Sequence, residues 1–356
     1  MRLIGPRRVH LQKLIRFMHL FGTFGRGYWT FLRTGTTPVE AYLSMRELFW
    51  RTDGRFNDVL TRLSAIMHPP YAIPLHQSVF GDYNALEIVH IVNELKNRGY
   101  CVFRKRLSEP LCEELLQLAA AIQYRILLPP SGDEFRIQYS EDTVPYESDN
   151  VISPQYNAPA QTLMENPVVQ DMVSDPLLLD ISQRYFGASP VFDFVALWWS
   201  PPYLKHASSE AAQLFHFDMD RLKFLKFFVY LTDVGPDNGP HTYIAGSHKR
   251  KPRELHRDGR ILDEEIAQYY SDSDIVEITG PRGTVFVADT RGFHKGKAPM
   301  YGDRLILQSV FATNLFGENY SPIYVNGKFT ERFVARIRQY RRTYLGSVLN
   351  DMSVSK

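Results

Sequence analysis

Two short runs, well separated in the chain, hold the residues best suited to chemistry. The first is Phe215-His216-Phe217-Asp218-Met219. In an extended segment, residues two apart point to the same face. His216 and Asp218 can therefore offer an imidazole nitrogen and a carboxylate oxygen to one ion, while Phe215, Phe217 and Met219 face the other way. The second run reads as a strand over 283–289, followed by Thr290-Arg291-Gly292-Phe293-His294. Two histidines and one carboxylate on one face of an octahedral metal leave three positions open, the arrangement of non-haem Fe(II) oxygenases. At the start of the next strand comes Arg304. A buried guanidinium there can hold a carboxylate through a bidentate pair.

A His-x-Asp alone is a weak signal, and rival ligands exist. His241, His248 and His256 all lie between the two runs. His248 sits in a Gly-Ser-His-Lys turn and is expected to hydrogen-bond around its loop. His241 and His256, near Pro, Arg and Asp, are expected in solvated segments. Asp289 can orient the distal histidine or cap the turn. Arg291 can meet an anionic substrate or face solvent. Trp198 and Trp199 can line a pocket, although packing between sheets is the commoner use.

The elements that must position these residues follow from periodicity and punctuation. A helix over 85–95 closes at Gly99, and a short strand at 100–103 follows it. Ser108, with Pro110 in the first turn, starts a second helix. A third, over 176–186, closes at Gly187. From about 190 the pattern turns to strands, at 191–199, 224–231, 284–288 and 305–312, separated by turn clusters such as 235–240. Residues 129–167 are rich in Pro with little periodicity and read as a long irregular stretch. Helices first and strands later predict a β-sandwich or barrel core with helices on one side.

This ordered set resembles the phytanoyl-CoA dioxygenase family of 2-oxoglutarate oxygenases. The strand 225–234 after the His-x-Asp is similar to that family's. So are Asp237-Asn238-Gly239-Pro240 leading into Ala245-Gly246-Ser247-His248-Lys249, and the helix–Gly–strand–helix opening at 85–120. The resemblance covers roughly 85–320. It implies a double-stranded β-helix, jelly-roll- or cupin-like, with supporting N-terminal helices. It also implies His216, Asp218 and His294 as ligands of Fe(II), and Arg304 as the clamp on the distal carboxylate of 2-oxoglutarate. Gln213, Lys226 or Gln308 would supply a second contact to that cosubstrate. Relatives that halogenate lack the carboxylate ligand, so Asp218 favours hydroxylation. The implied reaction consumes O2, decarboxylates 2-oxoglutarate to succinate and hydroxylates an aliphatic C–H of a small or lipid-linked substrate. The rival reading, a non-catalytic jelly roll that binds a ligand or partner, fits poorly with a complete set of two His, one Asp and the Arg.

Bulk properties narrow the classes further. The 356 residues are 44% hydrophobic and 22% charged, as expected of a globular protein. A net charge of +2 provides no field to recruit nucleic acid. Cys101 and Cys112 are too few for a disulfide scaffold or a zinc framework, which points to a reducing compartment, the cytoplasm. No run approaches the roughly 20 apolar residues of a membrane span, and Lys13 and Arg16 interrupt any secretory signal. The charge is uneven, since no acidic residue precedes Glu40. Leu11, Leu14, Ile15, Met18 and Phe21 recur at helical spacing among basic residues. Such a helix either packs its apolar stripe on the domain or lies on an anionic membrane surface through residues 1–39. The expected division is a basic, mainly helical extension over 1–80 and a double-stranded β-helix domain over 81–345.

Overall fold

A computed structural model describes residues 6–74, 78–129, 138–203, 209, 211–344 and 346–349, with backbone alone for 6–14 and 349. Three helices come first, α1 (Pro6–Thr34), α2 (Val39–Thr52) and α3 (Arg55–Met67). Next come α4 (Ala85–Arg98), β1 (Tyr100–Val102), α5 (Glu109–Ala121) and the short strands β2 (Arg125–Ile126) and β3 (Tyr156–Asn157). Helices α6 (Ala160–Met164), α7 (Pro167–Val173) and α8 (Pro176–Phe186) lead into β4 (Val191–Ser200), β5 (Phe224–Tyr230) and β6 (His241–Ile244). A short α9 (Asp263–Ile266) precedes β7 (Ile275–Ile278), β8 (Val285–Ala288), β9 (His294–Gly296) and β10 (Arg304–Ala312). The described chain closes with β11 (Ile323–Tyr324), α10 (Glu331–Gln339), α11 (Arg341–Tyr344) and β12 (Val348–Leu349).

Local chemistry sets the boundaries. Asn84 caps α4 and forms a capping box with Glu87, which satisfies orphan donors at both ends of the motif. Gly99 ends that helix at φ 88°, a conformation that costs glycine little. The position is also crowded, because a Cβ there would lie 2.2 Å from Tyr243 Oη. The irregular stretch read at 129–167 holds β3 and α6, with 130–137 outside the described residues.

Seven strands form a large sheet in the order β1-β8-β5-β10-β4-β3-β2, and β7-β6-β9 form a small one. Both are antiparallel. Isolated bridges from His216 to His294 and from Phe215 to Ile261 extend the small sheet beyond β9. The two sheets close over Tyr100, Phe228, Tyr230, Tyr243, Phe286 and Ile306. This is the double-stranded β-helix. On β5 the period of two sends Phe228 and Tyr230 into the space between the sheets, and Leu225, Phe227 and Val229 toward the helices. Every residue of β5 is buried, which is why it reads as a continuous apolar run broken only by Lys226. Trp198 joins the core between the sheets, whereas Trp199 stacks on Tyr146 and donates to Tyr124 Oη from the opposite face.

The first three helices pack directly on this body. Phe24 and Tyr28 meet Phe316, and Phe49 meets Phe217, the residue between the two candidate ligands. Asn57 Nδ2 donates to the Leu222 carbonyl. The segment after Asp218 is anchored by Arg221, which donates to Asp193 at 2.6 and 2.8 Å and to the carbonyls of Leu315 and Glu318. Removing one partner of a buried pair leaves the other charge uncompensated. Arg221→Met is expected to destabilise the fold by about 3–5 kcal/mol, while the double variant with Asp193→Leu recovers much of that loss. Urea denaturation of the two variants checks this.

Candidate metal centre

The two runs come together as one antiparallel ladder. His216 N donates to His294 O at 3.0 Å, and His294 N donates back to His216 O at 2.8 Å. Asp218 N adds a bond to Thr290 O at 2.8 Å. The pairing puts His216 and His294 side by side, their rings 4.3 Å apart. Phe215, Phe217 and Phe293 point away into the cluster behind the small sheet. Each histidine sets its Nδ1 against a carbonyl two residues earlier, His216 on Leu214 O at 2.9 Å and His294 on Gly292 O at 3.0 Å. That contact fixes the proton on Nδ1 and turns both Nε2 lone pairs inward. His216 Nε2 lies 3.6 Å from Asp218 Oδ1, and His294 Nε2 lies 3.3 Å from Asp218 Oδ2. One donor atom from each residue falls within 4.8 Å of the others, a grouping able to hold a metal ion.

The electrostatics match a cation site. Burial, reinforced by His294 and Arg260, holds the His216 imidazole well below its usual pKa, so it is neutral at pH 7. Burial alone would raise the Asp218 carboxyl, but the Lys226 ammonium outweighs it and keeps it ionised. Two imidazole nitrogens and one anionic oxygen, held in place before any ion arrives, suit Fe(II). Lys226 Nζ sits 2.8 Å from Asp218 Oδ2 and 3.3 Å from Asp220 Oδ2, the cation that faces this carboxylate. Burial opposes its charge, yet the two aspartates raise its pKa above the ordinary lysine value.

The hairpin that carries His294 is pinned from below. Asp289 is fully buried and accepts from Tyr185 Oη at 2.6 Å and from Arg291 Nη2 at 2.7 Å. It also accepts from the Arg291 backbone N–H at 3.1 Å, so it caps the turn, while His294 Nδ1 is engaged by Gly292. Arg291 is buried as well, and its outer nitrogen reaches Asp58 of α3 at 3.4 Å. Tyr243 Oη donates to the Asp289 carbonyl at 2.8 Å.

Arg304 is buried at the start of β10. Its guanidinium donates to Gly239 O and to Ser200 Oγ at 3.0 Å, and its Nε has no partner. No carboxylate lies within ion-pair distance of it among the described residues, and burial lowers its pKa. Gln308 and Lys226 lie on the same inner face of the large sheet, in register with Phe228 and Val310 respectively. Gln213 is buried in the segment leading to His216.

The rival histidines divide. His248 bonds Lys96 O across its loop, and His256 bonds Lys251 O near Asp53. His241 is not solvated as its neighbours in sequence suggest. It is buried, 5.3 Å from the His294 ring and 5.0 Å from Phe228, with Nε2 unpartnered among the described residues. Its parity with Tyr243 on β6 carries the inward direction, a signal that the nearby Pro240 and turn residues obscure.

Residues 95–300 match the family model described as phytanoyl-CoA dioxygenase. No curated protein matches the sequence. Among solved structures, the 2-oxoglutarate-dependent epimerase SnoN from nogalamycin biosynthesis is 16% identical, covering 64% of this chain and 84% of that one, with a TM-score of 0.46. EctD from S. alaskensis with bound Fe is 19% identical, covering 68% and 83%, with a TM-score of 0.44.

Gly292 tests the support beneath the candidate ligands. A Cβ there would lie 2.1 Å from Tyr243 Oη and 2.9 Å from Ser247 Oγ, the acceptor of the Phe293 N–H. Gly292→Ala must displace that hairpin, and is expected to weaken Fe(II) or Co(II) affinity about 10–100-fold. Anaerobic metal titration would read the loss; unchanged affinity would mean the turn does not place His294.

Proposed function

The chain belongs to the phytanoyl-CoA dioxygenase family and is an iron- and 2-oxoglutarate-dependent oxygenase, and from this we propose that it hydroxylates an aliphatic C–H of a small or lipid-linked organic substrate through His216, Asp218 and His294. The observation that carries the proposal is a buried guanidinium without an anion, one step along a strand from a ligand. On β9, His294 and Gly296 share a face and lie about 7 Å apart by strand rise. Gly296 has no side chain, and a Cβ there would sit 3.3 Å from Arg304 Nη2. The guanidinium fills that vacant place. The separation suits 2-oxoglutarate, with its keto-acid end toward the three ligands and its distal carboxylate on Arg304. A buried charge of this kind is costly until it is paired.

The remaining groups have roles in the same arrangement. His241 pairs across the small sheet with Gly296, so its free Nε2 lies beside the span between His294 and Arg304 and can donate to a cosubstrate carboxylate. Lys226 holds the second oxygen of Asp218 and fixes the orientation of that carboxylate. Gln308 and Gln213 remain candidates for further cosubstrate contacts. Phe228, Phe286 and Trp198 wall the inner face with apolar surface and exclude water from it. With 2-oxoglutarate and O2, the iron supplies an oxidant strong enough for an unactivated carbon, while 2-oxoglutarate is converted to succinate and CO2. The protein's contribution is to hold the cosubstrate and aim the substrate C–H.

Substrate-independent turnover tests the reading. Protein loaded anaerobically with Fe(II) and 2-oxoglutarate, then exposed to air, is expected to form succinate, and His216→Ala is not. Arg304→Ala should raise the 2-oxoglutarate concentration for half-saturation at least about 30-fold, as expected when one partner of a buried charge pair is truncated. His241→Leu should raise the same quantity about 10-fold with metal affinity unchanged. Equal 2-oxoglutarate dependence in wild type and Arg304→Ala would remove Arg304 from the site.

A further inference from the structure

Helix α1 has two apolar stripes; one packs on the body, and the other is largely open, with Phe21 at its edge 5.2 Å from the Phe56 ring. Leu20 and Phe24 are buried, with Phe17, Tyr28 and Phe31 partly so, against α2, α3 and Phe316. The stripe read from the sequence is the other one. Of its described members, Ile15, Met18 and Phe21 are all exposed, while Leu11 and Leu14 lie outside the described side chains. Its continuation at helical spacing is Gly22, Gly25, Trp29 and Leu32, all exposed. Met18, Trp29 and Leu32 stand 66%, 55% and 65% open to solvent, which is uncommon for side chains of this size.

The charged residues of α1 itself are all basic. Arg26 and Arg33 are exposed along one margin of the stripe, and the Arg33 guanidinium lies 3.8 Å over the Trp29 ring. Glu47 of α2 is already engaged by Arg16 at 2.9 Å and Arg51 at 2.6 Å. Exposed apolar side chains also occur on α2 at Val39 and Leu43, and on α3 at Leu63 and Ile66, the latter 80% exposed, and Arg55 and Arg62 of α3 are exposed as well. Half of the exposed large hydrophobic side chains among the described residues lie on these three helices.

We propose that the outer stripe of α1, with its arginine margin, lies in the headgroup region of an anionic lipid bilayer and makes the enzyme a peripheral membrane protein. The chemistry is that of an interfacial helix, with an apolar face, a tryptophan at its edge and cations to meet lipid phosphates. No helix among the described residues is long and apolar enough to cross a membrane, so α1 lies on the bilayer. At 29 residues it reaches about 43 Å along the surface. A second copy of the chain is the less favoured occupant. Two such stripes brought together would oppose Arg26 and Arg33 to one another with no carboxylate on either helix to pair them. Through α2 and α3 the surface connects to the metal segment, by Phe49 on Phe217 and Asp58 on Arg291. The proposal stands apart from the oxygenase reading, and its test does not measure turnover.

The test is flotation of the full chain with vesicles of phosphatidylcholine alone and with vesicles containing phosphatidylserine. Wild type should bind the anionic vesicles, be released by salt, and show Trp29 quenching by brominated lipid that Trp29→Phe abolishes. Met18→Glu with Leu32→Glu, and separately Arg26→Glu with Arg33→Glu, should each lower anionic-vesicle binding about 10-fold or more. All four positions are exposed, and an unchanged unfolding midpoint shows that the fold survives. Binding that is absent, indifferent to phosphatidylserine, or intact in both double variants overturns the proposal. So does sedimentation showing a wild-type dimer that the Met18→Glu, Leu32→Glu variant dissociates, which would assign the stripe to self-association.

Discussion

The pair of backbone hydrogen bonds between His216 and His294 is the constraint on which the site depends. Neither histidine is near the other in sequence, and Asp218 reaches the same point only because its segment runs antiparallel to the 290–294 turn. Once that ladder closes, the period of two does the sorting. The donor atoms of His216, Asp218 and His294 face the space between the sheets, and phenyl rings face the cluster behind them. The carbonyls of Leu214 and Gly292 then orient both imidazoles at the cost of no additional side chain. Three donors are thereby fixed before an ion is bound, so metal binding meets little ordering entropy.

The rest of the fold holds this ladder from two sides. The large sheet presents Lys226, Phe228, Ile306 and Arg304 to the inner space through a single parity, so one register fixes the whole wall. On the outer side, α2 and α3 press Phe49 against Phe217 and bring Asp58 to Arg291, which in turn neutralises Asp289 below the His294 turn. The N-terminal helices are thus part of the scaffold of the centre, as well as the carriers of the exposed apolar surface.

What was legible in the sequence follows from the range of the interactions involved. His216 and Asp218 are two residues apart, so strand alternation alone places them together. The strands β4, β5, β8 and β10 are long enough, or apolar enough, to read directly. The small sheet is not, because β6, β7 and β9 are three or four residues each and exist through pairing with distant partners. His241 is hidden in the sequence for the same reason. Its direction is set by pairing with Gly296, whereas its immediate neighbours look like a solvated turn. On α1 the sequence shows an apolar stripe with basic residues but not which face is buried. That choice is made by Phe316 and by contacts such as Gly317 N with Thr37 Oγ1, 280 positions apart in the chain.

The central claim is that His216, Asp218 and His294 bind one iron with 2-oxoglutarate beside it, its far end on Arg304. Anaerobic addition of Fe(II) and 2-oxoglutarate, followed by visible absorption, tests it most directly. The account predicts a band that requires both components, saturates at one equivalent of iron, and disappears in His216→Ala and His294→Ala. A band of undiminished intensity in either variant, or its absence from wild type with both components shown to be bound, would contradict it.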